Sequence, residues 1–444
     1  MKMLLKNLFL ITKKHFLQIK KGGIFILLKK IKSFFLIILQ SPLYVISVPL
    51  IFLIRIIRPW YLIRWHQLNS NRIGHFSKET ELLYCEMKAG INVPVQRYLD
   101  IYYLSKYISN KQLEKMWRRK IIILPRWIMV PISRVNNLIN IFIFDGNTHK
   151  IVKPNIRMSK DSNNLLERFK PSLNFDAEEE KKGEFFLREL GLSTKDKFVC
   201  LGIRDSAFLS SRNPEKDFSY HDYRDGKLEK FIMAAEELTK RGYYVIRMGA
   251  QVLEPLKTNN PKIIDYANTH RSDFMDIYLA AKCNFSVTTD YGLDEVMVIF
   301  RKPIVYIGVV PIGIMETHNE NTIIIFKEHI DIKTKKKISV SDIFDRKLSV
   351  GLFSQTFTEN GVFLEHNSSE QIRDAVVEMD ERMRKVWKST EEELILQKKF
   401  WANFSENRKK KYHSDFEKNS GSLHGVLKSK IGTKFLKQNQ SLII

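Results

Sequence analysis

The stretch from Phe198 to Gly308 constrains the fold most, because it repeats one unit: a short apolar strand, a polar or glycine-bearing loop, then a helix. Phe198–Ile203 stops at Arg204-Asp205, and Tyr243–Ile246 stops at Arg247-Met248-Gly249. Asn284–Thr288 stops at Thr289-Asp290-Tyr291-Gly292, and Ile304–Ile307 ends at Gly308. Helices alternating with strands imply right-handed crossovers and a parallel sheet, which makes this an α/β chain. In open parallel sheets, ligands bind outside the carboxyl ends of the strands. Arg, Asp, Thr and Gly gathered at those ends predict a site for a phosphorylated ligand, and so an enzyme rather than a scaffold.

Charge narrows the partners. The 444 residues carry a net +24, which calls for an anionic partner: a membrane surface, nucleic acid or a phosphorylated substrate. Residues 1–78 hold fourteen Lys/Arg and no Asp or Glu, so most of the excess lies beside apolar sequence. Phe34–Ile54 has no charge over 21 residues, about the length of a bilayer-spanning helix. Both of its flanks are basic (Lys29, Lys30 and Lys32 before it, Arg55, Arg58 and Arg64 after it), and Pro42 and Pro49 interrupt it. These features favour a monotopic or re-entrant anchor over a true span. Leu4–Leu28 alternates apolar blocks with lysines, as an amphipathic segment on anionic lipid would, or a solvated basic tail. No small-residue cleavage site follows, which argues against a signal peptide. Cys85, Cys200 and Cys283 are far apart and show no metal-ligand spacing, so they read as reduced, buried cysteines without structural zinc.

The expected organisation is a basic, apolar membrane-associating segment over 1–60, a first Rossmann-like domain over 61–190, a second over 191–365, and a helical extension with a basic tail over 366–444. In the first domain, strands are expected at Leu62–Leu68, Leu99–Leu104, Ile121–Leu124 and Asn140–Phe144, the last closed by Asp145-Gly146. Helices are expected at Lys78–Lys88 and Asn110–Arg119. Ala177–Leu190 reads as a helix closed by Gly191. In the second domain, Leu228–Leu238 and Phe274–Ala281 carry apolar residues at helical spacing, with Ser272 as cap of the latter. Ser368 and Gln371 have capping-box spacing before a helix to about Trp387, and residues 405–444 read as irregular.

Several residues could carry chemistry. Arg204 can fork onto phosphate oxygens with Asp205 orienting it, or form a structural ion pair. His221-Asp222-Tyr223-Arg224 lies in a long polar loop, Ser210–Lys227, which can line a cleft or be a solvated surface. Arg247 follows a strand beside Gly249. Arg271 precedes a helix N-terminus that favours anions, and Asp273 and Asp276 suit the same dipole. Thr289 to Gly292 leads into the helix Leu293–Phe300 as a phosphate cradle, although it is neither GxGxxG nor a P-loop. Glu295 could accept from ribose hydroxyls or simply suit the dipole. His75, after Gly74, is a candidate general base, with Glu79 and Asp100 as rivals.

Taken in order, Arg72-Ile73-Gly74-His75-Phe76 with Glu79 and Glu81, Ile203-Arg204-Asp205-Ser206, His221-Asp222-Tyr223-Arg224, Val245-Ile246-Arg247-Met248-Gly249 and Arg271-Ser272-Asp273-Phe274-Met275-Asp276 resemble a bacterial family assigned as glycosyltransferases of cell-surface polysaccharide gene clusters. The resemblance runs from about residue 60 to the basic tail, where Leu423-His424-Gly425 and Phe435-Leu436 also fit. It implies a GT-B-like architecture, two Rossmann-like domains facing a cleft, the second holding a nucleoside-diphosphate sugar as substrate. It implies no metal and no cofactor, in keeping with the absence of a DxD motif in a strand–turn context. The sugar would pass to a glycan or lipid-linked acceptor near His75. Arg204, Asp205, Arg247, Arg271, Thr289, Gly292 and Glu295 would hold the donor, with His75 and Glu79 as catalytic groups. An anionic inner-membrane surface, met from its cytoplasmic face, is the expected further partner. A pyruvyl transferase, a sugar epimerase or a non-catalytic membrane-bound polysaccharide assembly protein are the rival readings. A nucleic-acid binder is disfavoured, because no recognisable module accompanies the charge.

Overall fold

The computed structural model describes residues 41–142, 147–151, 160–212, 217–404 and 425–443, with isolated positions before 41. Most of the expected amphipathic segment Leu4–Leu28, residues 34–38 and 40 of the uncharged run, the Asp145-Gly146 turn and Leu423-His424 lie outside the described residues. The chain divides into two compact units. One comprises residues 1–67, 94–103 and 122–151; the other comprises 68–93, 104–121 and 152–444.

In the smaller unit, residues 41–57 are helical, β1 is Leu62–Leu68, β2 is Tyr98–Leu104, and Arg126–Phe142 is a second helix. β1 and β2 pair as a two-stranded sheet, extended by single parallel bridges from Trp65 to Lys150 and from Tyr102 to Ile123. The sheet expected of a first Rossmann-like domain is thus, among the described residues of 61–190, this pair with its two single-residue parallel bridges. The expected strand Ile121–Leu124 contributes only the Ile123 bridge. The expected strand from Asn140 is the last turn of the Arg126–Phe142 helix instead. The reason is packing: Met129, Ile132 and Val135 recur at helical spacing and close a core with Ile51, Ile54, Trp65 and Tyr103. Among the described residues no helix is long and apolar enough to cross a membrane.

The larger unit is built on an all-parallel sheet of seven strands. In chain order they are β3 (Lys197–Gly202), β4 (Tyr243–Met248), β5 (Ile263–Ile264), β6 (Phe285–Thr288), β7 (Ile304–Val309), β8 (Thr322–Phe326) and, after the short antiparallel pair β9 (Glu328–Asp331) and β10 (Val362–Glu365), β11 (Lys430–Ile431). Their spatial order is β11-β8-β7-β6-β3-β4-β5. The first strand in sequence, β3, therefore lies inside the sheet. Successive strands run outward from it to one side as β4 and β5 and to the other as β6, β7 and β8. That is the doubly wound arrangement, with its switch of direction at the β3/β6 boundary. Burial on both faces explains the continuous apolar runs: Val199, Cys200, Ile246, Phe285, Val305, Ile324 and Ile325 are all fully enclosed. Residues 425–443, expected to be irregular, supply β11 and the helix Thr433–Gln438 and so complete the sheet edge.

The local signals for helices largely hold. Asn110 caps Lys111–Arg118, Ser272 caps Asp273–Lys282, and Ser368 with Gln371 forms a full capping box on Ser369–Met383. The helix Ala177–Glu189 has its own capping box from Asp176 and Glu179.

One polar contact pins a long-range element of this unit. The segment His75–Glu79 is a π-helical turn that runs directly into the helix Thr80–Lys88. Gly74 meets the chain at Gly292, where a Cβ on Gly74 would stand 3.1 Å from the Gly292 carbonyl oxygen. Below it, Lys78 is fully enclosed, with its Nζ 3.0 Å from Glu295 Oε2 and 2.8 Å from Glu316 Oε1. Glu316 also engages Lys160 and lies 3.2 Å from His318 Nδ1. Burial works against the Lys78 ammonium, but the two carboxylates outweigh it and hold its pKa above the usual lysine value. Removing one member of a buried pair strands the other. Lys78→Ala should therefore lower stability by about 3–5 kcal/mol, read as a shift of the urea midpoint. A change within experimental error would show that the pair contributes nothing net.

Candidate active site

The carboxyl ends of β3, β6, β7 and β8 all open to one side of the parallel sheet. There Arg224, Asp225, Lys227, Lys230, Thr289, Gly308 and Lys327 help to line a small recess that opens to solvent. Gly308 has φ +67°, a left-handed conformation, and its Cα faces the Lys327 chain: a Cβ there would lie 3.5 Å from Lys327 Cγ and Cε. Lys327 follows β8 directly, and its Nζ donates to the carbonyls of Tyr223 (2.9 Å) and Asp225 (2.8 Å). No carboxylate pairs with Lys227, Lys230 or Lys327 among the described residues. His366 and Asn367 close the far wall, and Asn367 Oδ1 is buried without a hydrogen-bond partner.

The electrostatics follow from crowded, half-dry cations. Burial, with help from Arg204 and Lys227, pulls Lys327 down to about 7. Burial and then Lys327 and Lys227 pull His366 down to about 4. Arg204 is lowered to about 10 by burial and then by Arg224. His221 is lowered to about 4 by burial and then by Arg204, Arg224 and Arg72. Each of these shifts marks a place where one more positive charge is unfavourable and a bound anion would be favourable.

The sequence-predicted residues divide clearly. Arg204 stands beside the recess: its backbone N–H donates to Thr289 Oγ1 (2.7 Å), which ties the end of β3 to the end of β6. Its guanidinium donates to the His221 carbonyl (3.1 Å) and pairs with Asp225. Asp205 was the expected partner, but it accepts instead from the backbone N–H groups of Ala207 and Leu253, each at 3.0 Å. The run His221 to Arg224 belongs to a 3₁₀ helix, Ser219–Arg224, rather than to an unstructured loop. Burial raises the Asp222 carboxyl above its usual range, Tyr223 gives its carbonyl to Lys327, and Arg224 donates to the Asp290 carbonyl (2.5 Å). Asp290 takes φ +58°, so the chain turns sharply after β6.

Three expected donor-site residues are engaged elsewhere. Arg247 is enclosed, donating to the Glu254 carbonyl (2.6 Å) and lying 3.6 Å from Asp265. Arg271 is held by Asp276 (2.7 Å) and Asp273 (3.1 Å) at the start of its own helix. Glu295 is the partner of Lys78, and burial raises its carboxyl in spite of that lysine. Gly292 serves as the point of close approach for Gly74.

That approach, within the larger unit, holds the His75 turn against the segment that follows β6. His75 Nδ1 lies 2.7 Å from Glu79 Oε1, and Asn69 Nδ2 donates to Glu79 Oε2 at 2.7 Å. Asn69 thus orients Glu79, and Glu79 orients the ring. A carboxylate on Nδ1 fixes the tautomer that leaves Nε2 as the basic atom. The rival Asp100 is in the smaller unit, paired with Arg64 at 2.7 Å. His75–Glu79 is also a π-helical turn, a distortion that often accompanies functional sites.

Sequence reading missed Lys227, Lys230, Lys327 and His366. The signal for Lys327 was present: Thr322–Phe326 is an apolar strand, and a lysine stands at its carboxyl end. Among the described residues no group of three or more His, Cys, Asp or Glu side chains is placed to hold a metal ion.

No family model matches the sequence, and no curated relative does. Solved structures similar to this chain include a glycosyltransferase family 9 protein from Veillonella parvula, at 13% identity and TM-score 0.37 over 60% of this chain and 86% of that one. The E. coli ADP-heptose lipopolysaccharide heptosyltransferase II is similar at 12% identity and TM-score 0.36, over 59% of this chain and 90% of that one. A second E. coli heptosyltransferase, with ADP-2-deoxy-2-fluoro heptose, is similar at 10% identity and TM-score 0.29, over 60% and 93%. The superpositions are partial, and the functional reading is built on the residues of the site.

The Lys327 charge gives the site a pH signature. A bound anion favours the protonated amine, so affinity should be complete below the free-site pKa of about 7 and fall above it. Diphosphates are fully ionised above about pH 7, since the second phosphate pKa is about 6. Between about pH 7 and 9 the Kd for a nucleoside diphosphate should rise about tenfold per unit, and Lys327→Ala should flatten the slope. Titration calorimetry in buffered series reads both; a flat wild-type profile would remove Lys327 from the site.

Proposed function

We propose that this chain is a glycosyltransferase that moves a sugar from a nucleoside-diphosphate sugar to a hydroxyl of a glycan or lipid-linked acceptor. The observation that supports this most is the recess at the carboxyl ends of β6, β7 and β8, lined by Lys227, Lys230 and Lys327, with which no carboxylate pairs among the described residues; the lining carboxylate Asp225 is held by Arg204. A diphosphate supplies that charge. Arg204 and Arg224 stand behind it, each already oriented by an acid, Asp225 or Asp290. In the reaction the bond between the sugar anomeric carbon and the diphosphate oxygen breaks, and a bond to the acceptor oxygen forms. The leaving diphosphate keeps the electron pair, and the cations stabilise its charge. The acceptor proton passes to His75 Nε2, with Glu79 stabilising the imidazolium. Every charge movement in this scheme is met by a group of the chain, so it calls for neither metal nor cofactor.

The acceptor belongs, on this reading, to cell-surface polysaccharide assembly at the cytoplasmic face of the inner membrane, where nucleotide sugars are available. The basic, apolar N-terminus would bring enzyme and acceptor to one surface.

Two substitutions separate binding from chemistry. Lys327→Ala removes one charge-assisted contact of about 1.5–3 kcal/mol, so the Kd for the matching nucleoside diphosphate should rise roughly 10- to 100-fold, read by thermal shift against ADP, UDP, GDP and dTDP. His75→Ala should leave that Kd unchanged and lower kcat by about 10²–10⁴, read as nucleoside diphosphate released in the presence of acceptor. Folded protein that binds no nucleoside diphosphate would overturn the donor-site reading. Binding without turnover, and with no effect of His75→Ala, would favour a non-catalytic assembly protein.

A further inference from the structure

The smaller unit presents two helices whose outward faces are apolar. In the helix of residues 41–57, Ser47, Ile51 and Ile54 are buried, spaced four and three apart on one seam. The rest of the helix is also apolar, yet it is exposed: Val45 is 70% exposed, Ile46 62% and Ile56 65%. A helix apolar all round is found where no water surrounds it. Its one charged side chain, Arg55, is turned inward to Asn136 (2.8 Å) and Asn140 of the second helix. That second helix, Arg126–Phe142, buries Met129, Ile132 and Val135 on the same core and leaves Leu138 and Ile141 exposed. Trp60 and Trp127, at the ends of the two helices, are exposed as well.

Charge chooses the occupant of this face. The sequence before Gln67 holds only basic ionised side chains, and Arg126 and Arg134 add to them on the second helix. Asp100, on β2, is neutralised by Arg64. A second copy of the chain would press one strongly basic surface against another. An anionic bilayer surface would satisfy both the apolar face and the charge. Tryptophans at helix ends suit the headgroup level. Among the described residues neither helix is long and apolar enough to cross the bilayer, and the exposed apolar faces beside basic side chains fit its surface.

We infer that the helices 41–57 and 126–142 together form an interfacial membrane anchor, seated with their outward apolar faces in the acyl boundary of an anionic leaflet. This goes beyond the transfer reaction and does not rest on it. The anchor is a two-helix device whose second half lies some seventy residues beyond the first in sequence. It is distinct from the lysine-rich stretch before residue 33, which can add electrostatic attraction but not this face.

The test is flotation of the full chain with phosphatidylcholine vesicles, with and without phosphatidylglycerol. Wild-type protein should float with the mixed vesicles and less with phosphatidylcholine alone. The pairs Ile46→Glu with Ile56→Glu, and Leu138→Glu with Ile141→Glu, should each lower the bound fraction about tenfold, because a carboxylate in the acyl boundary is unfavourable. Phe363→Glu, an exposed apolar position on β10 of the larger unit, should leave it unchanged. In wild-type protein, brominated phosphatidylcholine should quench tryptophan emission, and Trp60→Phe with Trp127→Phe should remove that quenching; this reading does not depend on how the glutamate variants fold. Wild-type protein that stays unbound would overturn the anchor. Glutamate pairs that float like wild type would assign binding to the residues before 41 instead. A wild-type dimer that the same substitutions split, without vesicle binding, would assign the face to a second copy.

Discussion

The enclosed Lys78 ammonium, shared between Glu295 and Glu316, is the contact on which the candidate active site depends. It joins the turn His75–Glu79 to the helix Asp294–Ile299 and to the segment after β7, residues separated by more than two hundred positions in sequence. Without it, the close approach of Gly74 to Gly292 would rest on the packing of Ile73 against Gly292 and on the Glu81–Arg301 pair one turn further on. Buried charges need both partners and geometry, so the pairing is selective: a displaced turn leaves an ammonium or a carboxylate unpaired in a dry place. Rigidity at Lys78 is what fixes His75, three residues earlier, relative to the ends of β3 and β6. The chain of causes runs from a buried ion pair, through a π-helical turn, to a ring held by Glu79 and Asn69.

The parallel sheet was legible in the sequence because each of its central strands is a short apolar run closed by a polar or glycine-bearing loop. β3, β4, β6 and β7 fall where those runs predict them. β8 is equally apolar, and Lys327, a cation lining the recess, stands at its carboxyl end. β5 and β11 are two residues each and carry no periodicity to read. Side-chain partners were harder. In the sequence Arg204 and Arg247 close apolar runs and Arg271 precedes a helix, so their positions alone made them equal candidates; in the structure Arg247 lies within β4. Tertiary structure decides between them: Asp265 comes to Arg247 from a later loop, and Asp225 comes to Arg204 from beyond the 3₁₀ turn. Arg271 could have been sorted from sequence, since Asp273 and Asp276 stand two and five residues on, close enough to take it before any ligand does.

The smaller unit shows the limit of local reading from the other side. A run such as Asn140–Phe142 suits a strand or a helix equally when read over a few residues. Only the longer pattern from Met129 through Ile132 and Val135 settles it as a helix, and only the core it shares with Ile51 and Ile54 explains why that pattern matters. Hydrophobic content therefore identified an unusual N-terminal region, whereas the pairing of two distant helices became visible only in three dimensions.

Two clusters of buried lysine chemistry in the larger unit differ in a way that separates framework from site. At Lys78 opposite charges are paired: two carboxylates hold one ammonium, and Glu316 pairs with Lys160 as well. The result is a lysine held above its usual pKa. At Lys327 the surroundings are the same in dryness but opposite in sign, with backbone carbonyls as partners and Arg204 and Lys227 as neighbours, and its pKa falls to about 7. A chain shaped only for stability would place a carboxylate there, because an unanswered cation lowers stability at every pH below its unfolded pKa. The larger unit instead leaves the imbalance where four parallel strands end, at the position of the sheet to which ligands come. On the function proposed above, the missing negative charge is the substrate's own.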